Sequence, residues 1–117
     1  MSSFQLRAAL VAFAAAALLT GCGTSSNAPK NLNATITVAN GKPKGGVQTL
    51  KVKKGGHIHI TVNSDTADEV HVHGYNFHKD VEKGGSVSFD FPAKIDGGFI
   101  AELENAKQTL INLQVEP

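Results

Sequence analysis

The chain is 117 residues long, with 11 Lys+Arg against 10 Asp+Glu, a formal net charge of +1, one cysteine, one methionine and no tryptophan. That length holds one small domain. Near-neutrality, a single arginine (Arg7) and no dense basic block argue against nucleic acid as a partner, because phosphate recognition leans on clustered Arg and Lys. One cysteine also excludes an internal disulfide, so the fold must stand on its core alone.

The chain opens with a short polar stretch, Met1 to Arg7, and then a twelve-residue apolar run, Ala8 to Leu19. The run is too short to cross a bilayer as a helix and suits the core of a signal peptide. It closes on Leu19-Thr20-Gly21-Cys22, which resembles the bacterial lipobox, whose cysteine is diacylated and becomes the first residue of the mature chain. The resemblance implies a lipoprotein signal peptide over residues 1–21, a lipid anchor at Cys22, and a protein held to the cell membrane on its extracytoplasmic, periplasmic side. Two acyl chains suffice for stable anchoring. Residues 22–31, rich in Gly, Ser, Asn and Pro, read as a lipidated flexible tether, which at ~3.3 Å per residue reaches up to ~30 Å. Loss of Arg7 with the leader leaves ten lysines against ten acids.

From residue 32 to 117 the pattern is β with almost no helix. Leu32, Ala34, Ile36 and Val38 alternate with polar residues and predict a half-buried strand. Asn40 to Gly46 reads as a turn. Val47 to Lys53 alternates again, with Leu50 and Val52 inward, and Lys54-Gly55-Gly56 turns into His57 to Asn63, with Ile58, Ile60 and Val62 inward. Asn63 to Glu69 reads as a loop. Val70 to Tyr75 and Phe77 to Val81 read as strands separated by Gly74, and Lys83-Gly84-Gly85 as a turn. Val87, Phe89 and Phe91 then alternate with Ser86, Ser88 and Asp90, and Pro92 ends that strand. Phe99 to Leu103 follows Asp96-Gly97-Gly98, Glu104 to Thr109 reads as irregular, and Leu110 to Val115 closes the chain. About eight short strands with turns every 8 to 12 residues predict an antiparallel β-sandwich. Most of the aromatics, among them Phe77, fit a core; Tyr75 is the exception to watch, because a buried hydroxyl needs a partner.

Four of the five histidines form His-x-His pairs, His57-Ile58-His59 and His71-Val72-His73. A strand sends alternate side chains to opposite faces, so each pair sets two imidazoles on one face, with Cβ atoms ~6.6 Å apart. Such rings can converge on an ion at ~2.0–2.1 Å, and a site wants three or four donors. His71 and His73 are the leading candidates, with help expected from His78 or from the His57/His59 pair, and Asp68, Glu69 and Asp80 as candidate oxygen donors. Nitrogen and oxygen donors favour Cu(II) first and Zn(II) second. The bland alternative makes the same histidines solvent-facing strand residues.

A family resemblance enters on longer stretches. Leu50 to Asn63 resembles the Val-x-Lys-x-Gly and hydrophobic-strand signature of cupredoxins, Val70-His71-Val72-His73-Gly74-Tyr75 resembles the strand carrying their first copper-ligand His, and Lys83 to Phe91 followed by Gly97-Gly98-Phe99 resembles a later segment of theirs. The chain is most similar to the cupredoxin-like module of bacterial envelope lipoproteins, related to the cupredoxin-like domain of periplasmic iron-uptake components. The resemblance implies a Greek-key β-sandwich, with His73 in the place of the first ligand. In copper-carrying cupredoxins the loop between the last two strands supplies Cys, His and usually Met; the matching region here, Ala101 to Leu110, has none of them. No type 1 or copper A centre is therefore expected, since both need thiolate.

His71-Val72-His73 is also similar to the copper-binding pair of Cu,Zn superoxide dismutases. Of that family's further histidines only His78 follows, and the mature chain lacks the disulfide and any arginine, so no enzyme is expected. The sequence thus predicts a lipid-anchored, non-catalytic envelope protein that binds a transition metal, copper before zinc, for storage or handover to an envelope metal-handling partner. The competing reading is a metal-free β-sandwich interaction module.

Overall fold

The computed structural model describes residues 27–117. The leader, Cys22 and the first half of the tether lie outside the described residues. Nine strands follow: β1 (Asn31–Ala39), β2 (Lys42–Pro43), β3 (Gln48–Lys53), β4 (His57–Ser64), β5 (Asp68–Val72), β6 (Phe77–Val81), β7 (Gly85–Pro92), β8 (Gly97–Leu103) and β9 (Gln108–Glu116). They form two sheets, of order β2-β1-β4-β7 and β3-β9-β8-β5-β6. The expected all-β sandwich is present, with one strand more and mixed pairing: β1 runs parallel to β4 and β3 parallel to β9, while the other pairs are antiparallel.

The extra strand is β2, inside the segment predicted as a turn. Asn40 and Gly41 both have positive φ (54° and 71°), the backbone of a two-residue hairpin loop that Asn-Gly favours. The chain therefore folds back at once, pairing Ala39 with Lys42 and Val38 with Pro43. Proline is tolerated there because β2 is an edge strand.

The core lies between the sheets. In β4, Ile58, Ile60 and Val62 are fully buried, and in register across β7 they meet Phe91, Phe89 and Val87. Val70 and Val72 of β5, Leu103 of β8 and Leu110, Ile111, Leu113 and Val115 of β9 close the core from the other sheet. Alternation then puts every second side chain of β4 and β5 on an outer face, which is where all four His-x-His histidines sit. Phe77 departs from the expected core role, being 38% exposed on the edge strand β6. Tyr75 does find its partner: the hydroxyl donates to the Ile95 carbonyl at 2.9 Å and accepts from the Ile95 amide at 3.1 Å.

Gly74, which leads out of the His71-x-His73 segment, has φ +83°, and a Cβ there would lie 2.1 Å from Phe99 Cδ1. Gly74→Ala combines a left-handed backbone with displacement of a packed ring. It is expected to destabilise the domain by about 2–5 kcal/mol, read as a fall in the urea midpoint.

Candidate metal centre

His71 faces outward because its neighbours Val70 and Val72 fill the core. Glu102 of β8 faces outward for the same reason, lying between buried Ala101 and Leu103, and it stands directly opposite His71 across the β5–β8 pair. His73 continues the pairing one step past β5, its amide donating to the Ile100 carbonyl at 2.9 Å. Glu104 leaves the end of β8, its amide donating to the Glu69 carbonyl at 2.8 Å. A register shift between β8 and β9 falls at Ala101/Glu102, and such bulges often re-aim a side chain.

The result is a group of four donors, His71, His73, Glu102 and Glu104, whose ligand atoms all lie within 4.8 Å of one another. His73 Nε2 is 2.5 Å from Glu102 Oε1, and His71 Nδ1 is 3.1 Å from Glu104 Oε2. A tetrahedral ion with bonds of ~2.0–2.1 Å holds its ligand atoms about 3.3 Å apart, so the two hydrogen-bonded pairs would part slightly and the wider separations would shrink to admit one. The side chain of His71 is only 13% exposed, whereas that of Glu104 is 44% exposed. The His73 side chain is 40% exposed and that of Glu102 20%, so the group is reached past Glu104 and His73.

His78 lies directly opposite His71 across β5–β6, and the two rings stack with centroids 3.7 Å apart. On its other flank His71 meets the His73 ring at 3.9 Å. Three imidazoles thus stand in a row with His71 in the middle. His78 is the outer member and is turned elsewhere, its Nδ1 2.7 Å from Glu69 Oε1 and its Nε2 3.2 Å from Asn76 Oδ1.

The expectation that the His57/His59 pair helps His71 and His73 hold one ion is corrected by the topology. His57 and His59 belong to β4 in the four-stranded sheet, and His71 and His73 to the five-stranded one. Both pairs face outward, so the whole hydrophobic core separates them. His57 Nε2 and His59 Nδ1 instead contact the two carboxylate oxygens of Asp90, the second at 3.3 Å. The hydrogen bond from His57, joined by that from His59, holds the Asp90 carboxyl below the usual carboxylate range.

The oxygen donors also differ from those expected. Glu69 is engaged with His78, and Asp80 is exposed on β6. Asp68 is 7% exposed and committed to backbone: Oδ1 accepts from the amides of Glu69 (2.6 Å) and Asn105 (2.9 Å), and Oδ2 from that of Ala106 (3.1 Å). It therefore anchors the turn that presents Glu104. Asp68→Ala strands these amide donors, at about 1–3 kcal/mol for each one left unsatisfied. The urea midpoint is expected to fall.

Glu102 and Glu104 were missed from sequence. The available signal was the alternation Ala101-Glu102-Leu103-Glu104, which marks two glutamates on one strand face. Only the pairing of β8 with β5 turns it into a site. These glutamates occupy the start of the segment from which the resembled copper proteins take their sulfur ligands.

No family model matches the chain, and no curated protein matches it. Solved structures do. A copper binding protein determined in solution in the apo form aligns with a TM-score of 0.58 at 14% identity, covering 78% of this chain and 93% of that one. The metal binding domain of the Streptococcus pneumoniae Cu(I) exporting P-type ATPase CopA, solved with Cu(I), aligns at 0.52 and 12% identity, covering 74% and 96%. A multicopper oxidase from Campylobacter jejuni, a metallo-oxidase, aligns at 0.55 and 15% identity over 78% of this chain, which spans 27% of the oxidase. At such identities the likeness is one of fold, and the fold is the cupredoxin-like β-sandwich.

Proposed function

We propose that this protein binds a divalent transition metal, Cu(II) before Zn(II), through His71, His73, Glu102 and Glu104, and that it does so for storage or handover rather than for electron transfer or catalysis. The observation that carries the reading is the convergence of two imidazoles and two carboxylates from adjacent strands of one rigid sheet. The donor set is nitrogen and oxygen, and the chain's one cysteine and one methionine, Cys22 and Met1, both fall in the leader region far from it in sequence. Such a set suits Cu(II) in a colourless or pale site and lacks the thiolate of an electron-transfer centre. The copper-binding proteins and oxidases of the same fold support copper as the first choice. The surface exposure of Glu104 and His73 suits release to a partner.

The lipobox-like Leu19-Thr20-Gly21-Cys22 supports a mature protein anchored at Cys22 on the periplasmic side of the cell membrane, where a metal-handling envelope protein would meet it. The relation to iron-uptake modules stands on the same sequence resemblance.

One observation favours the metal-free interaction module instead: each imidazole of the row already has a carboxylate partner, His71 with Glu104, His73 with Glu102 and His78 with Glu69. Electron paramagnetic resonance of the full chain carrying Cys22→Ser, loaded with Cu(II), separates the two. Couplings to imidazole nitrogens, without intense thiolate charge-transfer absorption, are expected. A spectrum of free or non-specifically bound Cu(II) would leave the interaction module standing.

A further inference from the structure

The His57/His59 pair, left out of the centre, has acquired a carboxylate of its own. We propose that His57, His59 and Asp90 form a second, independent binding site for a divalent transition-metal cation on the outer face of the four-stranded sheet.

The backbone arranges the three residues. His59 stands directly opposite Asp90 in the antiparallel β4–β7 pair, and His57 lies two residues along on the same face. Directly opposed residues and their diagonal neighbours are the pairs that touch on a sheet. Asp90 Oδ1 meets His57 Nε2, and Asp90 Oδ2 lies 3.3 Å from His59 Nδ1, so both rings address one carboxylate.

The remaining nitrogen of His59 is held as well. Its Nε2 lies 3.4 Å from Thr61 Oγ1, which is 3.0 Å from Ser88 Oγ. An outer hydroxyl on one ring nitrogen turns the other toward the ion, the usual support of a metal-ligating histidine. Beneath the face, fully buried Ile58 and Ile60 fix β4 between β1 and β7. As placed, each ring meets a different oxygen of Asp90 and the three donors do not converge as those of the four-donor group do, so binding requires the His57 and His59 side chains, 50% and 40% exposed, to turn toward one point.

Two nitrogens and one oxygen leave the other coordination positions to water. The site therefore binds more weakly than the four-donor centre and takes Cu(II), Zn(II) or Ni(II) rather than the oxygen-seeking Ca(II) or Mg(II). It sits across the core from His71 and His73 and does not depend on them. The protein then carries two ions, one on each face.

The test removes the first centre and looks for the second. The full chain with Cys22→Ser and His71→Ala/His73→Ala is titrated calorimetrically with Zn(II), and its imidazole proton resonances are followed as trace Cu(II) is added. One residual equivalent is expected, with broadening concentrated on His57 and His59. Further His57→Ala/His59→Ala substitution is expected to remove that equivalent, and Asp90→Asn to weaken it by at least the ~10-fold that loss of an outer partner alone costs. These side chains point away from the core, so thermal melts of all variants should coincide. The proposal is overturned if no equivalent remains after His71→Ala/His73→Ala. It is equally overturned if the remaining binding broadens His78 rather than His57 and His59, or survives both His57→Ala/His59→Ala and Asp90→Asn. Since the four-donor centre is already absent from the starting protein, these results do not depend on whether that centre binds metal.

Discussion

His71→Ala/His73→Ala is expected to eliminate binding at the four-donor centre, lowering affinity for Cu(II) and Zn(II) by well over the ~10–100-fold that follows loss of an outer partner. The double substitution removes both nitrogens and leaves Glu102 and Glu104, a pair of partly exposed carboxylates with little preference for Cu(II) or Zn(II) over Mg(II) or Ca(II). His71 is the less replaceable of the two, since it sits mid-row and only 13% exposed, opposite Glu102 in the register. Glu102→Gln should be milder: the amide oxygen still accepts from the His73 ring, but the ion loses a charged ligand. Calorimetric titration of the full chain with Cys22→Ser, in wild-type and substituted forms, measures the effect. All three side chains lie outside the core, so melting temperatures should fall far less than for a core truncation, with His71, 13% exposed between two rings, accounting for most of the loss. Heats that are unchanged by the double substitution would remove the centre.

The strands that carry the site were readable because their inward residues obey period two without exception. Ile58, Ile60 and Val62, or Val70 and Val72, leave no choice about which way the intervening histidines point. What alternation cannot show is which strand lies beside which. Leu32 to Val38 and His57 to Asn63 read as ordinary sandwich strands, yet they pair in parallel, a long-range choice that no local pattern records. The same limit hid the centre's composition: Glu102 and Glu104 come together with His71 and His73 only because β8 runs against β5, and His57 and His59 stand apart only because β4 belongs to the other sheet. Loops were overestimated where a polar side chain serves the backbone. Ser64 and Asp68, predicted in a loop, are buried strand residues, Ser64 bonding both the amide and the carbonyl of Thr66 and Asp68 capping the turn after β8. Polarity marked both as loop residues, whereas hydrogen bonding to main chain is what let them go inside.

Phe89→Ala is expected to be the most damaging single truncation of the core, at about 3–5 kcal/mol. Phe89 is the largest of the fully buried side chains, stands opposite Ile60 between the two sheets, and has the Lys79 ammonium 5.3 Å from its ring centre. Lys79 also donates to the Ser88 carbonyl at 2.5 Å, tying the edge strand β6 to β7, so loss of the ring loosens that seam as well as the interior. A domain of this size has roughly 5–15 kcal/mol of stability in all, and its melting temperature should fall by at least ~12 °C. Phe89→Leu, which refills much of the volume, should recover most of the loss. The comparison with His71→Ala/His73→Ala is what makes the measurement informative. One variant should melt early while still binding metal when folded, and the other should melt much later than it while binding none at the centre. Such opposite responses are possible only if the site is a decoration of the outer face, carried by the sandwich without helping to hold it together. A melting temperature that stayed high in Phe89→Ala would mean that the two sheets are joined by something other than this core.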